Sequence, residues 1–145
     1  MLGPAIDREK AVKTEKIQLG VVVADLDRAV ERAESLFGAG PFRRLSVPEA
    51  GVDAAVADWA GVELELIVAA TDPVRAEHAR LLKGKSARLT HIGAYVPDKD
   101  AALGHFRERD GPFVYEDTGD AEVRTAMVDL RNDAGFLLEL LERID

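Results

Sequence analysis

The chain of 145 residues, 47% hydrophobic and 32% charged, has the length and composition of one globular domain, or of two small halves sharing a core, and excludes a disordered protein. Its 19 Lys+Arg against 27 Asp+Glu give a formal net charge of −8, which excludes a general nucleic-acid binder, because neutralising phosphates takes a concentrated basic surface. The lack of cysteine excludes disulfides, thiolate zinc centres and cysteine nucleophiles, so any metal must be held by His, Asp, Glu, Asn or Gln.

In chain order, residues 1–15 form an N-terminal extension, with charges where a signal peptide needs its apolar run. No later stretch approaches the ~20 apolar residues that span a bilayer, so a cytoplasmic protein without a membrane partner is expected. The β-branched run Ile17–Val23 predicts a strand. Asp25 is placed to N-cap a helix from Leu26 to about Phe37, whose apolar residues recur at helical spacing, and Gly38 and Gly40 end it. Strands follow at Phe42–Val47, Asp53–Trp59 and Val62–Ala69, divided by Pro48, Gly51 and Gly61. Asp72, as N-cap, and Pro73 open a second helix to about Lys83. Arg88–Val96 is then a strand, Asp100–Arg109 a helix, and Phe113–Tyr115, Val123–Asp129 and Gly135–Leu141 are strands.

The two halves are the same motif written twice. QLGVVVADLDRAV at 18–30 answers HIGAYVPDKDAAL at 91–103, pairing Gly20 with Gly93 and Asp25 with Asp98. Gly40-Pro41-Phe42 answers Gly111-Pro112-Phe113, and GVELELIVAA answers GFLLELLERI, pairing Glu65 with Glu139. The expected fold is α+β: two tandem βαβββ modules, at 16–71 and 89–145, joined by a linker helix at 72–88 into one structural domain with a curved mixed sheet.

Four polar residues interrupt the apolar strands. Alternation sets Gln18 with Gly20 and Val22, Glu65 with Glu63 and Ile67, His91 with Leu89, Gly93 and Tyr95, and Glu139 with Leu137 and Leu141. Singly, each also suits a solvated strand face. Jointly they are ordered: the first and last strands of each half supply one such side chain, and Gln18 and Glu65 are separated by nearly the same span as His91 and Glu139. Halves related by a pseudo-twofold axis would bring Gln18, Glu65, His91 and Glu139 together as three oxygen donors and one nitrogen. That set suits Zn, Co, Ni or Mn with open positions for chemistry.

On these motifs, together with the GAGPF turn and the linker running into LTHIGAYV, the chain resembles the vicinal oxygen chelate superfamily of glyoxalase I, methylmalonyl-CoA epimerase and bleomycin-resistance proteins, over roughly 16–143. The resemblance implies a glyoxalase-like fold around a metal held by Gln18, Glu65, His91 and Glu139, a set similar to that of eukaryotic-type glyoxalases. Pro48-Glu49-Ala50-Gly51-Val52 resembles the stretch that carries a catalytic glutamate in the epimerases, which implies catalytic Glu49 beside Glu139. The chain departs from the epimerases at Gln18, where they more often have His. It departs again at Asp129-Leu130-Arg131-Asn132-Asp133, where a His-Pro-Lys-Ser-type segment helps receive CoA. The implied activity is a metal-dependent isomerase, epimerase or lyase working through an enolate on a small carbonyl or acyl-thioester substrate, in a homodimer. The alternative on the same fold is a non-catalytic, antibiotic-type binding protein.

His78 and His105, between charged helical neighbours, are expected in solvent. Trp59, Phe42, Phe113 and Tyr95 are candidates for either a pocket wall or the core. Arg43, Arg44, Lys83, Lys85 and Arg88 are candidate contacts for an anionic substrate group, or solvated surface charges.

Overall fold

The computed structural model describes residues 12–108, 114–117 and 123–144. The elements run β1 (Lys16–Val23), α1 (Leu26–Phe37), β2 (Arg43–Val47), a 3-10 turn (Pro48–Ala50), β3 (Val52–Trp59), β4 (Val62–Ala69), α2 (Asp72–Leu82), β5 (Ala87–Tyr95), α3 (Lys99–Glu108), β6 (Val114–Asp117), β7 (Val123–Leu130) and β8 (Phe136–Arg143). The Gly111-Pro112-Phe113 copy of the turn motif lies outside the described residues.

The eight strands among the described residues form one sheet in the order β2-β3-β4-β1-β5-β8-β7-β6. Within each half, the first strand pairs parallel with the last (β1 with β4, β5 with β8), and the others follow antiparallel. The halves meet inside this chain through antiparallel β1 and β5, so the sheet order is the same read from the centre to either edge. The glyoxalase-like α+β architecture is therefore present, with both modules in one sheet.

Alternation along the strands separates two faces. Val23, Ala55, Leu64 and Leu66 bury against Leu26, Val30 and Ala33 of α1. Ala94, Ala126, Val128 and Leu140 bury against Ala102 and Leu103 of α3. One helix thus covers each half on the same side of the sheet, and the opposite face carries the polar strand residues among apolar ones such as Val56, Ile67 and Leu141. Asp25 accepts the Arg28 N–H at 3.1 Å, and Gly38, with φ +70°, supplies the left-handed residue that ends α1.

Two local expectations are corrected. The N-cap of α2 is Thr71, and Asp72 is its first helical residue, where its carboxylate pairs with the Arg75 guanidinium instead of capping. Negative charge in a first turn is favourable next to the unpaired N–H groups. The alternation of β5 is broken by a β-bulge: Gly20 stands opposite His91, but Val21 stands opposite Leu89. Thr90 is the extra residue, so Arg88 rather than Leu89 lies opposite Val22. Among the described residues, no helix is long and apolar enough to cross a membrane.

Leu140 is fully buried, so Leu140→Ala should cost about 2–5 kcal/mol in urea denaturation. Leu89 is 51% exposed, and Leu89→Ala should change stability by less than about 0.5 kcal/mol.

Candidate metal centre and active site

The polar face opposite α1 and α3 lines a cavity of about 1070 Å³ that contains Gln18, Glu49, Glu65, His91 and Glu139. Strand register arranges the four expected ligands in two neighbouring rows. Glu65 on β4, Gly20 on β1 and His91 on β5 are cross-strand partners in one row. Gln18 on β1, Gly93 on β5 and Glu139 on β8 are partners in the next, with Glu63 on β4 also opposite Gln18. Each row therefore has a glycine between two ligand-type side chains.

The glycines are needed for space. A Cβ on Gly20 would lie 1.9 Å from His91 Cε1 and 2.1 Å from Nε2, so the imidazole lies directly over this position. A Cβ on Gly93 would meet Gln18 Oε1 at 3.1 Å and Leu141 Cδ1 at 2.9 Å. His91 thus leans over Gly20 toward β4, whereas Gln18 sets its Oε1 beside Gly93 and its Nε2 against Glu63 on β4.

Gln18 is only 4% exposed, which removes the reading of it as a solvated strand residue. Its Nε2 donates to Glu63 Oε1 at 2.6 Å, and the Tyr95 hydroxyl donates to the same oxygen at 2.7 Å. Burial first, and then the Glu63 carboxylate, raise the Tyr95 pKa and keep this phenol protonated. His91 Nε2 lies 3.7 Å from Glu65 Oε1. The Thr90 hydroxyl lies 3.3 Å from His91 Nδ1 and 3.4 Å from the Gly20 carbonyl oxygen. If its single proton goes to that carbonyl, Thr90 accepts from Nδ1–H, and Nε2 presents a lone pair to the cavity. Desolvation by burial lowers the His91 pKa, which favours the neutral, metal-ligating form.

Four buried side-chain atoms of cavity-lining residues have no hydrogen-bond partner: Gln18 Oε1, His91 Nε2, His78 Nδ1 and Thr125 Oγ1. The Gln18 and His91 atoms are of metal-ligating type and lie beside Gly93 and Gly20. With the Glu65 and Glu139 carboxylates in the same rows, the donor set fits a divalent cation of borderline hardness. Among the described residues, no three His, Asp or Glu side chains are drawn together into a ligating cluster; His91 and Glu65 are the close pair, and Gln18 holds Glu63. Glu49 reaches the cavity from the exposed 3-10 turn after β2.

Several contributors were either not singled out by sequence reasoning, as with Glu63 and Thr90, or given no hydrogen-bonding role there, as with Tyr95. Glu63 and Tyr95 form the hydrogen bonds behind Gln18, and Thr90 owes its place to the bulge. His78 is half-buried and lines the cavity with Val74, Glu77 and Leu81, which corrects the expectation of a solvated histidine: one face of α2 packs over this side of the sheet. His105, also expected in solvent, is half-buried with its ring edge-on to Phe106. Arg43 and Arg88 line the cavity, whereas Arg44 pairs with Asp27 at 2.8 Å on the exposed surface. Among the aromatic candidates, Tyr95 lines the cavity, Phe42 packs on the first core and Trp59 packs tilted against Phe37. Phe113 lies outside the described residues.

Replacing Gly20 by Ala should force His91 out of its place, costing about 1–3 kcal/mol and shifting the His91 ring resonances. Gly104→Ala, in α3 with nothing near its Cβ position, should instead stabilise by about 0.5–1 kcal/mol. Because the folded-state pKa of His91 lies below its ordinary 6.5, the folded chain takes up this proton less readily than the unfolded one. The stability of neutral His91 is present above about pH 6.5 and is lost as pH falls toward the folded-state value. The Tm should therefore drop from pH 7 to pH 5, and His91→Gln should lack part of that drop.

The fold and this site can be set beside known proteins. Methylmalonyl-CoA epimerase from Mycobacterium tuberculosis superposes with a TM-score of 0.77 at 21% identity, covering 100% of this chain and 94% of that one. A methylmalonyl-CoA epimerase in complex with methylmalonyl-CoA and NH4+ gives 0.74 at 20%, covering 92% and 96%. A variant of the Streptomyces coelicolor enzyme in complex with 2-nitronate-propionyl-CoA gives 0.74 at 22%, covering 92% and 96%. At these identities the likeness is one of fold. No curated protein sequence matches the chain. The family model of the Glyoxalase/Bleomycin resistance protein/Dioxygenase superfamily matches residues 17–127, from β1 into β7, and the chain belongs to that superfamily.

Proposed function

We propose that the chain is a divalent-metal-dependent isomerase or epimerase, or a lyase of the glyoxalase I kind, acting through an enolate on a small carbonyl or acyl-thioester substrate. The observation that supports this reading is the pair of buried ligand atoms without partners, Gln18 Oε1 and His91 Nε2, on one face with Glu65 and Glu139. Gln18, Glu65, His91 and Glu139 would hold the ion, which supplies a Lewis acid for negative charge on the substrate oxygens. The thioester class comes from the epimerases that share the fold, one of them in complex with methylmalonyl-CoA. The cytoplasmic location, which rests on the sequence pattern, and the homodimer, which rests on the resemblance, belong to this reading.

The chain's own residues move the proton. An α-proton is removed by a carboxylate within hydrogen-bond reach. Glu49 reaches the cavity from the first half and Glu139 from the second. One takes the proton from one side of the α-carbon and the other returns a proton to the opposite side, which inverts the configuration. In the lyase version, Glu139 alone takes the proton from one carbon and returns it to the next. Arg43 and Arg88, on the same face, suit an anionic end of the substrate. Arg131 is already engaged, its Nε and Nη2 donating to both oxygens of Asp129 at 2.9 and 2.7 Å. In the segment where the epimerases receive CoA, this chain thus spends its cation on its own carboxylate.

The test is solvent-deuterium exchange, followed by NMR, into α-acidic thioesters, hemithioacetals and hydroxyketones with Zn²⁺, Co²⁺, Ni²⁺ or Mn²⁺ present. One class should exchange. Glu49→Gln should lower its rate by about 10²–10⁴-fold while metal binding is kept. Glu65→Gln and His91→Ala should weaken metal binding itself. No exchange with any class overturns the enolate reading, and tight ligand binding without exchange points to the non-catalytic binding protein.

A further inference from the structure

The Gln18 amide has two orientations that differ only by exchanging oxygen and nitrogen, and its surroundings discriminate between them. Glu63 stands opposite Gln18 in the parallel β1–β4 ladder, and its Oε1 lies 2.6 Å from the Gln18 Nε2. A carboxylate accepts and never donates, so turning the amide over would set two acceptor oxygens against each other. The amide nitrogen must face Glu63, and the carbonyl oxygen must then face the other way, over Gly93.

Glu63 is itself held. The Tyr95 side chain reaches from β5 across β1 to donate to the same Glu63 oxygen at 2.7 Å, and the Arg143 guanidinium lies 4.7 Å from the centre of the Tyr95 ring. Tyr95 thereby gives its proton to Glu63 and has none for the Gln18 carbonyl, which stays buried without a partner. A buried acceptor left unpaired is costly and is kept where another group is to be met. The other half shows the corresponding device, since the Thr90 hydroxyl lies beside His91 Nδ1 while Nε2 is left unpartnered.

We propose that Glu63 and Tyr95 are a positioning pair that fixes the Gln18 amide with its carbonyl oxygen directed into the site. The use of that oxygen, as the atom an incoming divalent ion takes, rests on the metal-dependent reading above. The orientation of the amide does not. The pair also spans the module junction, because Glu63 belongs to the first half and Tyr95 to the second. The ligand orientation at Gln18 is therefore tied to correct pairing of β1 with β5.

Two measurements on the full chain separate these parts. In metal-free protein, the Gln18 side-chain NH₂ exchange rate, identified by loss of the signal in Gln18→Leu, should rise at least about tenfold in Glu63→Leu. Calorimetric titration with Zn²⁺ or Ni²⁺ should show affinity falling about 10–100-fold in the same variant. Glu63→Gln keeps an acceptor oxygen in that place and should recover most of the amide protection, which a merely space-filling role would not require. Tyr95→Phe, neutral for neutral, should raise the exchange rate and lower the affinity, each by less than Glu63→Leu. A folded Glu63→Leu with an unchanged Gln18 amide overturns the positioning role. If that variant does not fold, a folded Tyr95→Phe with wild-type exchange and affinity overturns the pair. A wild-type amide that depends on Glu63 in a chain that binds neither metal overturns the metal reading and leaves the positioning intact.

Discussion

Everything on the polar face depends on the antiparallel contact between β1 and β5. That ladder joins the two halves into one sheet, and its register decides which residues face one another across the junction. Opposed side chains on neighbouring strands lie about 4.5–5.5 Å apart and ordinarily fill the space between them. Here a glycine stands opposite each ligand-type residue, Gly20 opposite His91 and Gly93 opposite Gln18. Each side chain leans into the gap left by the other strand's glycine. A slip of β5 by one residue would turn His91 to the face covered by α1 and α3 and end the arrangement.

The charge distribution on this face follows from the same pairing. Glu63, Glu65 and Glu139 share one cavity, and carboxylates are tolerated away from water only when bonded or beside cationic groups. Glu63 takes two donors, Glu65 lies beside His91, Arg43 stands in the Glu65 row, and Arg88 stands in the row beyond it. A face with this excess of oxygen donors, flanked by arginines, suits a cation at its centre and a negatively charged substrate group at its side. The far wall is already neutralised within itself: hydrogen bonds from Arg131 lower the Asp129 pKa to about 2.

Much of this was legible in the chain because the halves repeat. Strand and helix positions followed from apolar periodicity with Gly and Pro punctuation, and the ligand-type residues appeared as polar interruptions at matching places in both halves. Less visible were the residues that act through another side chain. Glu63 reads as one more acidic residue in GVELELIVAA, and Tyr95 as one more strand aromatic, until the fold sets one across β1 from the other. The bulge at Thr90 was also hidden, because the residues 88–91 read Arg-Leu-Thr-His and carry no glycine to mark it. His78 looked like a surface residue because nothing in its neighbours says that α2 lies over the cavity.

The sequence by itself determined the two βαβββ units, the faces of most strands and the residue types available for a metal, since these depend on local periodicity and on a repeat that can be read off one chain. Only the tertiary structure decided that the halves pair within the chain, that Gly20 and Gly93 make room for His91 and Gln18, and that Glu63 and Tyr95 set the Gln18 amide. Those relations are formed between residues far apart in the chain, at distances of a few ångströms. No spacing along a single strand encodes them.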